Sequence, residues 1–151
     1  MAKGIPATKL NIVNNAKLEQ YWTKRKSKNG LHRVIKMKNK PNMSIIRGLL
    51  FTYDIENTDD LKRENLISSK NINTEKELIE LIDELTKPEF LSYTKQEQEW
   101  FIDSIEHYLS IGDNFDSIFK TMATYFSEPV INQQMFMRTL LGRLRQYRNT
   151  Q

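Results

Sequence analysis

The helical period that opens at Thr74 and persists to Arg148 constrains this chain more than any other feature in it. Thr74 with Glu77 has the spacing of a capping box, in which a hydroxyl and a carboxylate satisfy each other's backbone N–H groups. Leu78, Ile79, Leu81, Ile82 and Leu85 follow at helical spacing, and Pro88 is expected to end that helix. Thr94 with Glu97 repeats the signal ahead of Trp100, Phe101, Ile105, Tyr108, Leu109 and Ile111, with Gly112 where a left-handed cap belongs. A further helix is expected from about Asn114 to Phe126, stopped before Pro129, with Phe115, Ile118, Phe119, Met122, Tyr125 and Phe126 inward. The last is expected from about Ile131 to Arg148, with Met135, Leu140, Leu141, Leu144 and Tyr147 as its apolar side. Thr58 or Asp59 opens a short helix through Leu61 and Leu66. The sum is a bundle of four to five helices joined by short connections.

The front of the chain reads differently. Asn29-Gly30 between two strand-capable runs suits a type I′ turn, which needs positive φ at both central residues. A hairpin over Tyr21 to Lys38, preceded by a short helix, follows from that turn. Residues 44 to 55, SIIRGLLFTYDI, read as a third strand with Ile45, Leu49, Phe51, Tyr53 and Ile55 on one side and Gly48 tolerated within it. The expected class is α+β, a small antiparallel sheet followed by the helical bundle. One domain spans 1–151, with a basic β-rich part over 1–56 and a helical part over 57–151.

Catalytic constellations are missing from the sequence. There are no cysteines, and the two histidines, His32 and His107, form no metal-ligand spacing. His107, beside Tyr108, reads as a half-buried helix residue. Asp54 and Glu56 resemble the acidic pair of a metal-dependent nuclease, but Thr58 stands where the lysine belongs. No glycine-rich phosphate loop and no nucleophile elbow occurs. The expectation is a protein that is not an enzyme and takes no cofactor or metal. No apolar run of membrane length and no secretory core is present, which points to the cytoplasm and away from a membrane. Richness in Lys, Asn and Ile suggests an AT-rich source, such as a phage or plasmid.

Charge supplies the functional expectation. Residues 1 to 50 hold 12 Lys or Arg against Glu19 alone, residues 51 to 100 hold 6 against 13 acids, and residues 101 to 151 hold 5 of each. Lys24, Arg25, Lys26, Lys28, Arg33, Lys36, Lys38 and Lys40 place eight cations in one stretch, a density suited to the phosphate backbone of nucleic acid. Lysine predominates there, and lysine positions a backbone more than it reads bases, so weak sequence preference is expected. Tyr21 and Trp22 are candidates for stacking on unpaired bases. Arg138, Arg143, Arg145 and Arg148 form a second basic patch on the last helix. The leading expectation is a nucleic-acid-binding or regulatory protein, with a protein partner or homodimer through the helices. The alternative is an adaptor or antagonist of the immunity or inhibitor type, presenting the acidic stretch from Asp54 to Glu99 to a basic partner.

Overall fold

Asn42 turns the chain into a helix where a strand was expected. In the structure, a computed structural model that describes residues 40–150, its side-chain oxygen accepts the Ile45 N–H at 3.2 Å. That cap starts α1, Met43–Leu49, which tightens into a 3-10 turn over Leu50–Tyr53. Ile46, Leu49, Leu50 and Tyr53 are all buried. Their offsets of three, four and seven residues place them on one helical stripe. The α+β expectation is thereby corrected: the third strand is a helix, and the described residues contain no sheet, only an isolated bridge between Asp54 and Thr124. The Asn29-Gly30 hairpin lies outside the described residues.

The second helix, α2, covers Leu61–Ser69 and is capped by Asp60, whose carboxylate accepts the Arg63 N–H at 3.1 Å. Glu75–Leu81 forms α3, which does not stop at Pro88. It widens into a π-helical segment, Ile82–Thr86, and continues as α4, Lys87–Leu91. A proline inside an α-helix lacks an N–H and collides with the carbonyl four residues back. The π turn resets the register, so Pro88 falls in the first turn of α4, where its missing N–H is tolerated.

The long helix α5, Lys95–Ser110, opens on the expected capping box at Thr94 and Glu97. It closes on Gly112 at φ 76°. Gly112 N–H reaches the Leu109 carbonyl at 3.1 Å and Asp113 N–H the Tyr108 carbonyl at 2.9 Å, the paired bonds of a Schellman cap. The helix expected from Asn114 to Phe126 shrinks to α6, Asp116–Phe119. Beyond it the chain straightens: Ile55 N–H donates to the Ala123 carbonyl and Tyr125 N–H to the Tyr53 carbonyl, each at 3.0 Å. Arg47 holds the exit of α6 by donating to the Thr121 hydroxyl at 2.5 Å and to its carbonyl at 3.3 Å. The final helix, α7, is Gln133–Asn149, capped by Asn132. Among the described residues no helix is long and apolar enough to cross a membrane.

Packing follows the apolar stripes. α5 lies against α7 and α1, while α3, the π segment and α4 close over α7. Trp100, Phe101 and Ile105 of α5 meet a core that includes Leu140, Leu144 and Tyr147 of α7. Phe136 and Met137 complete the buried face of α7, whereas Met135, expected inward, is exposed. Each large side chain so buried stabilises the fold by about 1.5–3 kcal/mol, which makes this core the main reason the short helices hold their shape.

Candidate functional site

Of the eight front cations, only Lys40 falls among the described residues; Lys24, Arg25, Lys26, Lys28, Arg33, Lys36 and Lys38, with Tyr21 and Trp22, lie outside them. Lys40 is exposed, and its carbonyl accepts the Trp100 indole N–H. Two residues on, the Asn42 N–H donates to the Ser104 hydroxyl at 3.1 Å. The basic stretch therefore joins the body beside the middle of α5.

The second basic patch is a set of ties between helices. Arg143 meets Asp83 of the π segment with two parallel bonds of 3.0 Å each, and the Tyr147 hydroxyl donates to the same carboxylate. The Arg143 guanidinium and the Lys87 ammonium lie 5.6 and 5.5 Å from the centre of the Tyr147 ring. Burial, then the Asp83 bond, holds the Tyr147 phenol well above its ordinary range. Arg145 reaches Glu106 at 2.7 Å, and Arg148 reaches both oxygens of Glu99 at 3.1 and 3.2 Å. Arg138 is exposed and donates to the Gln134 amide oxygen at 3.2 Å. Three of the four arginines are thus neutralised by carboxylates, two of them from the acidic middle of the chain.

Those acids are largely engaged. Asp54 accepts the Glu56 N–H at 2.8 Å, Glu77 the Asn71 N–H at 2.8 Å, and Glu80 pairs with Lys70 at 2.9 Å. Glu56, Asp59, Glu75 and Glu84 remain exposed. His107, expected half-buried, is exposed with its ring edge-on to Tyr108. No group of three or more metal-ligating side chains occurs among the described residues.

Two features had no signal in the sequence. Between α2 and the helix formed by α3 and the π segment runs an open cleft of about 750 Å³ with Leu66 and Leu85 among its lining residues. Its acids, Asp60, Glu80 and Glu84, equal its cations, Lys62, Arg63 and Lys70, so the cleft favours neither sign. Arg63 is buried at one edge, donating to the Asn57 carbonyl and lying 3.8 Å from Asp60 and 3.9 Å from Glu64. The second feature is Glu89, a half-buried carboxylate on α4 that accepts the Thr52 hydroxyl at 2.7 Å. No protein family, no curated protein and no solved structure matches this chain.

Proposed function

We propose that the protein is a non-enzymatic, nucleic-acid-associated binding protein that meets phosphate through Lys24 to Lys40, with the helical body as the platform that carries them. Charge partition is the observation behind this reading. Residues 1–39 hold ten Lys or Arg against one acid, whereas residues 40–150 hold 13 against 18, a net of −5. A polyanion is repelled by the net charge of the body and attracted by the front, and the ties of Arg143, Arg145 and Arg148 to carboxylates neutralise most of the arginine patch on α7. The test is binding to duplex and to single-stranded DNA at two salt concentrations, for wild type and for a variant with Lys24, Arg25, Lys26 and Arg33 changed to Glu. The wild type should bind with a steep salt dependence, of about −0.9 in slope per phosphate contact, and the variant should bind at least about tenfold more weakly. Salt-independent binding, or full retention by the variant, ends the proposal.

A protein partner is the second reading, favoured by one surface. Ile131 is 79% exposed beside Met135 at the start of α7, where both border a cleft of about 140 Å³ that also reaches Leu78 and Phe136. Changing Ile131 and Met135 to Ser should abolish recovery of a specific partner if that surface is the docking face. Reversal of Glu56, Asp59, Glu75 and Glu84 tests the acidic version of the same idea.

A further inference from the structure

Two hydroxyl bonds clasp the 3-10 turn to the junction of the π segment and α4. Thr52 donates to Glu89 at 2.7 Å, and the Tyr53 and Thr86 hydroxyls share a bond of 2.6 Å. Glu89 is the ionisable member of this clasp, and no cation lies within ion-pairing distance of it among the described residues. On the elements packed around it, Glu84 is exposed, while these charged or titratable groups are engaged elsewhere. Arg143 and Tyr147 of α7 hold Asp83, Lys87 lies over the Tyr147 ring, and Tyr53 is taken by Thr86. An ionised carboxylate with one hydroxyl for a partner and little water is poorly solvated, whereas the neutral acid is not. Burial pushes the Glu89 carboxyl up to about 7, against the opposing effect of the Thr52 bond.

We propose that Glu89 is a proton-operated latch: protonated, it seats α4 on the 3-10 turn at little solvation cost, and ionised, it keeps the Thr52 bond but draws water into the junction and so loosens the adjoining Tyr53–Thr86 bond. Loosening passes directly to α1, since the 3-10 turn is its continuation. The seating of α1 beside α5, where the basic stretch joins the body, thereby responds to pH near neutrality.

The direction of the effect follows from linkage. A carboxyl whose folded-state pKa is raised from 4.5 to about 7 binds its proton more tightly when folded. Its contribution to stability is whole below pH 4.5 and is lost as pH rises through about 7. Across that window the Glu89 share of the folding equilibrium constant falls by up to about 300-fold.

The experiment combines a carboxyl-carbon NMR titration of the full-length chain with urea unfolding of wild type, Glu89→Gln and Thr52→Val from pH 4.5 to 8. Glu89 should titrate near 7, and Glu89→Gln should match wild type at pH 4.5 yet be more stable at pH 8. Thr52→Val should raise the Glu89 midpoint further, because it removes the one bond that favours the ion. A Glu89 midpoint in the usual carboxylate range overturns the proposal, as does a Glu89→Gln variant whose stability follows the wild-type pH curve. The titration is read on wild type, so it decides the matter even where a variant fails to fold.

Discussion

Asp83 shows how a single side chain decides what a patch of charge is for. Its carboxylate receives both guanidinium bonds of Arg143 and the Tyr147 hydroxyl, joining the π segment to α7 across 60 or more residues of sequence. Exposed ion pairs contribute little, at most about 1 kcal/mol. A two-bond, half-buried pair with a phenol attached contributes more, because removing one member leaves the others desolvated without a partner. Asp83→Asn should therefore destabilise the protein by about 1–2 kcal/mol in urea unfolding. It should also lower the Tyr147 phenol toward its ordinary range in an ultraviolet pH titration, since Asp83 is the second contributor to its elevation after burial. A variant with unchanged stability and an unchanged tyrosine titration contradicts this account. The sequence displayed the arginines but not their partners, because a carboxylate 60 residues away becomes a neighbour only through the packing of α3 and the π segment on α7.

Elements were legible where the local signal and the tertiary surroundings agreed. Thr94 with Glu97 and Gly112 bracket α5 as their residue types require, and the core stripe of α7 from Leu140 to Tyr147 stands as read. The stretch from 44 to 55 carries both periods at once. Ile45, Leu49, Phe51, Tyr53 and Ile55 suggested alternation, while Ile46, Leu49, Leu50 and Tyr53 form the helical stripe that is buried. Asn42 was the local arbiter, since an uncapped run of β-branched residues can go either way but a capped one has its first turn satisfied. Thr74 and Glu77 show the reverse case. Their spacing equals that of Thr94 and Glu97, yet Glu77 turns to the Asn71 N–H at 2.8 Å and the Thr74 hydroxyl to the Asn71 carbonyl at 3.0 Å, so the box does not form. This pair makes a controlled prediction. Thr94→Ala should cost about 1 kcal/mol and Thr74→Ala only a few tenths, measured as shifts in the urea midpoint at constant slope. Equal costs at the two positions contradict the difference in capping. The front basic stretch stands as the reading of charge and turn chemistry that it was in the sequence, because all but Lys40 of it falls outside 40–150.

At the scale of the whole molecule, the acids of the middle segment serve the fold, and the cations of the front have no comparable surplus of acid in their own third. Asp83, Glu99 and Glu106 neutralise three arginines of α7, and Glu80 neutralises Lys70. This division predicts that two sets of basic residues, similar on paper, respond differently to substitution. Arg138→Gln with Arg145→Gln should leave affinity for duplex DNA within about twofold and change the salt slope by less than about one, since Arg145 is tied to Glu106 and Arg138 is a single exposed charge. Reversal of Lys24, Arg25, Lys26 and Arg33 should reduce the slope by about three to four, near 0.9 for each phosphate no longer neutralised. Both sets alter net charge, so a nonspecific field acting at long range would move the two slopes in proportion to the charge removed. A local phosphate-binding stretch moves only one of them, and fluorescence titrations at 50 and 200 mM salt, conditions that span about an order of magnitude or more in affinity for several neutralised phosphates, separate the two cases.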